Sequence, residues 1–154
     1  MASRNFTETA LNLAKGAIDY SSDEFYAILV TSIPSEANLD AWKMRGDVTN
    51  EHAVSGNYTA GGFLCAATVE DPVDAANDNV NIDIVPDVGN GNAVFSSSTI
   101  AAVGSIIYRR VGGDFATPAT DNLVSFVDFG GTITSTNGDF NVTFSTPMII
   151  SVNV

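Results

Sequence analysis

The stretch Leu123-Val124-Ser125-Phe126-Val127-Asp128-Phe129-Gly130-Gly131-Thr132-Ile133-Thr134-Ser135-Thr136-Asn137-Gly138-Asp139-Phe140-Asn141-Val142-Thr143-Phe144 is the most legible part of this 154-residue chain. Runs rich in Val, Phe, Ile and Thr, broken by glycine and asparagine, predict strands over 122–129, 131–135 and 138–145. Asn137-Gly138 is the strongest hairpin signal, a two-residue turn that demands φ > 0 at its centre. It is expected to join 131–135 to 138–145 as neighbours, with Gly138 in the left-handed conformation. In the second of these strands Phe140, Val142 and Phe144 alternate with Asn141, Thr143 and Ser145, which gives one buried and one wet face.

The same punctuation extends outward from this stretch. From Asp47 onward, Gly, Asn, Asp and Pro clusters separate short β-prone runs, and further strands are predicted near 47–54, 58–69, 80–85, 99–110 and 147–153. The run from Thr99 to Arg110 is too long for a flat strand, and Gly104 is expected to mark a bulge or bend. Residues 70–79 and 111–121 read as loops, and Ser96-Ser97-Ser98 as a polar loop or strand entrance. Before residue 47 the pattern differs. Phe6, Ala10, Leu13, Ala14, Ala17 and Ile18 share one face at a period of 3.6, so a helix is predicted over 6–18, capped by Ser3 or Asn5. Phe25 to Thr31 reads as a buried strand, and residues 35–44, starting at a Ser35 cap, as one or two helical turns or an ordered loop. The expected fold is mainly β: a single antiparallel β-sandwich or barrel-like domain over 1–154, with an N-terminal amphipathic helical segment at 1–20 and the β domain at 25–154.

Charge narrows the partners. Eighteen acidic residues face six basic ones, a formal net charge of −12. The six cations are Arg4, Lys15, Lys43, Arg45, Arg109 and Arg110. A nucleic-acid binder needs lysines and arginines in a patch or stripe to neutralise phosphates, and the material for one is missing. Anionic membrane surfaces are disfavoured for the same reason. Charged residues make up 16%, below the usual quarter, and 14 Ser, 14 Thr and 14 Asn fill the gap. Such a neutral polar surface suits extracellular or virion β proteins better than cytosolic enzymes. Cys65 has no partner cysteine for an intramolecular disulfide and reads as a small buried hydrophobe. No secretory leader or membrane span is read, and synthesis in a reducing cytoplasm is expected.

Candidate chemistry is thin. His52 is the single imidazole, so any Ser-His-Asp or Cys-His arrangement has to use it, and no Gly-x-Ser-x-Gly elbow is present. Glu51-His52 reads more simply as a pH-sensitive surface pair. Trp42 is the sole tryptophan, and nothing ties it to the paired carboxylates that a glycosidase needs. Glu70, Asp71, Asp74, Asp78, Asp83 and Asp87 crowd one stretch that reads as a solvated acidic loop or a weak calcium or magnesium site, without EF-hand spacing. Gly61-Gly62, Gly112-Gly113 and Gly130-Gly131 lack the lysine of a phosphate-cradling loop and read as turns, bulges or strand junctions. Arg109-Arg110, at a strand end, is a candidate inter-subunit contact to a carboxylate, or a solvated strand end. No catalytic residue, metal ligand or cofactor is assigned.

Five stretches taken in order carry a resemblance. They are Lys15-Gly16-Ala17-Ile18-Asp19-Tyr20 followed by Ala27-Ile28-Leu29-Val30-Thr31-Ser32; Ser55-Gly56-Asn57-Tyr58-Thr59-Ala60-Gly61-Gly62; Ala101 to Arg109; Leu123 to Gly131; and Asn137 to Phe144. Together, over about residues 6–152, the chain resembles a family of small structural proteins of tailed bacteriophage particles, with its own loops at 33–50 and 70–98. The resemblance implies a non-enzymatic virion component, with Tyr58, Gly61, Gly62, Tyr108, Asp128, Phe129, Gly130, Asn137 and Gly138 as structural motif positions. It implies a decoration or cement protein on the outer capsid surface, partnered by the major capsid protein or other virion proteins and self-associating, with a trimer expected. The alternatives are a tail component (tube, tip or fibre-attached domain) and a carbohydrate- or calcium-binding receptor module.

The charge argument gives a direct expectation. In a gel-shift assay at physiological salt, DNA and RNA run unretarded by this protein; retardation at moderate salt contradicts the reading.

Overall fold

A computed structural model of the chain describes residues 4–69, 82–87, 91–112 and 115–144. Its elements are β1 (Arg4–Asn5), α1 (Thr7–Ala14), β2 (Glu24–Val30), α2 (Glu36–Ala41), β3 (Phe63–Val69), β4 (Ile82–Pro86), β5 (Asn92–Ser98), β6 (Ala101–Arg110), β7 (Leu123–Thr134) and β8 (Gly138–Thr143). Six strands form one antiparallel sheet in the order β1-β7-β6-β2-β3-β4, and β5 pairs with β8 in a second. The fold is therefore mainly β and sandwich-like, with an N-terminal helix.

The large sheet is covered on both faces, which explains the near-continuous apolar runs of β2 and β6. Phe25, Ala27 and Leu29 of β2 point to one face, where they meet Ala93, Phe95, Phe140 and Val142 of the second sheet. Ile28 and Val30 point to the other, with Ile106, Tyr108, Leu123 and Phe126, and there Phe6 and Leu39 from the helical side close the core.

Three features of β7 and β8 correct the expectation from sequence. Residues 122–129 and 131–135 belong to one strand. It carries a bulge: Gly104 pairs with Asp128 and Ala102 with Ile133, so four residues of β7 oppose Val103 alone. Gly130, at φ +77, absorbs that bulge, and its N–H donates to Asp128 Oδ1 at 2.8 Å. Gly104 stands opposite it, so the irregularity expected in the 99–110 strand is carried by its partner β7; a Cβ on Gly104 would run into the Phe126 ring and the Val127 carbonyl. The hairpin at Asn137-Gly138 does not form. β7 pairs with β6 and β8 with β5, so this dipeptide is a corner between sheets. The left-handed residue is Asn137, at φ +50, not Gly138. The physical reason is a polar knot that outcompetes a local turn: Ser98 Oγ donates to Phe95 O (2.8 Å), lies 3.0 Å from Ser135 Oγ, and Asn137 N–H donates to Thr99 Oγ1 (3.2 Å).

Other boundaries shift too. Residues 92–98, crossed by the serine run, form β5, with Ala93, Phe95 and Ser98 buried. The 47–54 segment is not a strand: it follows β2 through Thr31 N–H to Asn50 O and His52 N–H to Leu29 O, then leaves at exposed Val54. The 58–69 strand begins only at Phe63, because Gly61 and Gly62 turn through φ +89 and +79. The 80–85 strand is β4, and 147–153 lies outside the described residues. Helix α1 is shorter than the predicted 6–18. Strand β1 runs to Asn5, Phe6 takes the cap position with no side-chain cap, and Gly16 at φ +66 ends it. Its inner face is partly polar: Thr9 and Asn12 are buried beside Leu13, which packs against the core, Thr9 Oγ1 donates to Val124 O at 2.7 Å, and Ala10 and Ala14 face out. Ser35 caps α2 as expected, with Asn38 completing a capping box.

Gly62 is the tightest point near the middle of the sheet, where a Cβ would overlap the Ala27 carbonyl oxygen, whereas a Cβ at Gly138 would meet nothing closer than 3.7 Å. Gly62→Ala is therefore expected to lose roughly 2–4 kcal/mol in urea unfolding, and Gly138→Ala less than about 0.5 kcal/mol. The reverse order would restore the hairpin reading.

Candidate functional site

Two stretches between strands, 43–62 and 115–122, meet at the helical side of the sheet around Arg45. Backbone pairing brings them there: Arg45 N–H donates to Asp121 O (2.8 Å), Gly46 N–H to Pro118 O (3.0 Å) and Leu123 N–H to Lys43 O (2.9 Å). Asp47 Oδ2 accepts from Lys43 N–H and Met44 N–H (2.8 and 3.0 Å) and shapes the turn that presents Arg45.

Arg45 and Asp121 are both buried. Arg45 Nε donates to Asp121 Oδ2 at 3.0 Å, and Nη2 to Phe115 O at 2.6 Å. The other carboxylate oxygen of Asp121 accepts from Val111 N–H (3.0 Å). The guanidinium lies 5.3 Å from the centre of the Tyr108 ring, and Glu51 Oε2 stands 3.9 Å from Nη1. Glu51 Oε1 accepts from Gly61 N–H (2.7 Å), while Tyr108 Oη donates to Gly61 O (2.6 Å). Tyr58 Oη accepts from Leu29 N–H (3.0 Å), a strand donor beyond the reach of β3.

Of the motif positions, Tyr58, Gly61, Gly62 and Tyr108 thus converge on one network. Asp128, Phe129 and Gly130 sit apart at the β7 bulge, and Asn137 and Gly138 at the corner between sheets. Arg109 and Arg110 are committed within the chain: Arg109 pairs with Asp23, and Arg110 with Glu24 Oε2 at 2.7 Å while stacking 4.3 Å over the Tyr26 ring. Glu51 and His52 are not a pair, since the Glu51 carboxylate turns to Gly61 and His52 turns to Ala53 and Ala101. Arg45, Glu51 and Asp121 had no local signal in the sequence; Arg45 and Asp121 are 76 residues apart.

The network is built to hold, and its phenols stay protonated. Burial pushes the Tyr58 hydroxyl well above the ordinary tyrosine range, helped by the Glu51 carboxylate, and burial does the same to Tyr108. Burial also raises the Cys65 thiol, which keeps it from acting as a thiolate nucleophile. Among the described residues no group of three or more His, Cys, Asp and Glu side chains is placed to hold a metal ion. Most of the acidic run 70–87 lies outside the described residues. A cleft of about 310 Å³ opens between β3 and β5, with Phe63, Leu64, Val94 and Phe95 on its walls and Asn57 at its polar side. No described helix is long and apolar enough to cross a membrane.

No protein-family model, curated protein or solved structure matches this chain.

Breaking the buried pair on one side strands a charge. Asp121→Ala and Arg45→Met are each expected to lose about 3–5 kcal/mol in chemical denaturation, and the double variant less than their sum. Additive losses would show that the two side chains do not act as a pair.

Proposed function

We propose that this chain is a non-enzymatic structural protein of a tailed-bacteriophage particle, a decoration or cement protein on the outer surface of the capsid head. The observation that carries the reading is where the motif residues fall. Tyr58, Gly61, Gly62 and Tyr108 spend their polar groups on backbone partners and close packing, and Asp128 with Gly130 shapes a strand bulge. Residues used in this way maintain a framework, as a lattice component requires.

The charge supports an outward-facing position. A surface lining packaged DNA needs basic residues, and here the net charge is −12. Partners are then the major capsid protein and other virion proteins. A capsid presents three-fold and quasi-three-fold positions in large number, and a trimer of a 16.1 kDa chain matches them while multiplying weak contacts.

Mass spectrometry of purified particles is expected to find this chain in copy number comparable to the major capsid protein. Particle reconstruction is expected to place its density on the head exterior. Density along the tail alone, or absence from the particle, overturns the proposal.

A further inference from the structure

We propose that His52 is a pH-sensitive latch: its neutral imidazole ties the 43–62 segment to the start of β6, and protonation releases that tie. This inference is independent of the virion reading.

The geometry selects one protonation state. Nδ1 lies 2.7 Å from the carbonyl oxygen of Ala53, which can only accept, so Nδ1 carries the proton. Nε2 receives the N–H of Ala101 at 3.2 Å, so Nε2 must present its lone pair. A neutral imidazole protonated on Nδ1 satisfies both contacts. An imidazolium satisfies one of them and sets a second N–H against the Ala101 N–H.

The position gives that change its reach. Ala101 opens β6, directly after the turn in which the chain leaves the second sheet and enters the first. The neighbouring ties are neutral: Ser55 Oγ accepts from Thr99 N–H at 2.8 Å and donates to Thr99 O at 3.0 Å. The His52 N–H is fixed to Leu29 O of β2, which anchors the latch at its base. Around the ring, β2 presents Leu29, β6 presents Ala101, and the 55–62 turn presents Tyr58, whose ring meets the imidazole edge-on at 6.1 Å. Tyr58 stays protonated, and Glu51, the adjacent charge, spends its carboxylate on Gly61 N–H beside Arg45. No carboxylate is within salt-bridge distance of the imidazole to reward protonation among the described residues. His52 is the single histidine, so its titration is read without overlap.

Nuclear magnetic resonance on the full chain tests this between about pH 7.5 and 5, the range in which histidine changes charge. At the upper end, ring nitrogen shifts are expected to place the proton on Nδ1. As the ring titrates, exchange of the Ala101 amide, corrected for intrinsic chemistry, is expected to accelerate about ten-fold, the loss of one modest hydrogen bond. In His52→Gln, whose amide oxygen accepts but does not titrate, Ala101 is expected to stay protected across the range. A proton found on Nε2 at neutral pH overturns the proposal. So does Ala101 protection that is unchanged while His52 titrates, or that falls equally in wild type and His52→Gln. Should the variant fail to fold, the wild-type titration decides alone.

Discussion

A guanidinium in the interior has to be met on several sides at once, and Arg45 sets that requirement for the segments packed around it. Its charge faces Asp121, its Nη2 faces the Phe115 carbonyl, and its plane lies near the Tyr108 ring. Each of those partners belongs to a segment that has no regular structure of its own or to a strand that must be held in register. Satisfying Arg45 therefore fixes where 115–122 lies, and the backbone bonds from Arg45, Gly46 and Leu123 follow from the same placement. An ion pair of this kind adds little net stability over a well-packed apolar substitute, but it penalises arrangements that leave either charge alone. Its value here is in specifying one path for two long connections.

The sheet makes a second demand that this network answers. Strand β3 begins at Phe63, yet β2 continues to Val30, so the edge of β2 beyond Ala27 needs other partners for its buried backbone groups. Tyr58 Oη takes the Leu29 N–H, and His52 N–H takes the Leu29 carbonyl. Gly62 lets the chain pass close enough to Ala27 for the turn to close, and Tyr108 Oη pins Gly61 from the opposite side. The Ser55-to-Gly62 stretch is thus a substitute strand end, made of side chains and three left-handed glycines, Gly56, Gly61 and Gly62.

What was readable in the sequence divides along the range of the interaction. The β class, the buried strand 25–31 and the Ser35 cap rest on local pattern, and all three are present, while the irregularity expected at Gly104 falls in the strand opposite it. The Asn137-Gly138 hairpin also rests on local pattern and fails, because Ser98, Thr99 and Ser135, close only in the folded chain, compete for the same backbone. Strand β5 was hidden by its serines: Ser98 is fully buried with its hydroxyl bonded, so a residue that signals a loop serves as core. The apolar face expected over 6–18 is kept only in part: Phe6 and Ile18 are buried and Leu13 packs against the core, while Ala10 and Ala14 face out and Thr9 and Asn12 face in. Thr9 is driven inward by the carbonyls of Leu123 and Val124, and a period of 3.6 in apolar residues cannot see that. The Arg45 network was illegible for the plainest reason, since its charges are far apart in sequence and ordinary in composition.

Charge is where fold and assembly meet. Five of the six cations are used inside the chain: Arg4 with Glu36, Lys43 with Glu8, Arg45 with Asp121, Arg109 with Asp23 and Arg110 with Glu24. Among the described residues Lys15 is the cation without an ion-pair partner. The acidic excess, a net charge of −12, thus has few unpaired cations to offset it, and two free copies repel over the Debye length of about 8 Å at physiological salt. A copy-to-copy contact formed in solution has to overcome that repulsion with neutral polar or apolar area alone. A shell that already fixes its sites at set spacing removes the requirement: each copy is then held by the lattice, and neighbours need only tolerate one another. On the proposed reading, the chain's acidity and its assembly on a preformed surface are consistent, with the cationic groups that an acidic face needs supplied by the shell.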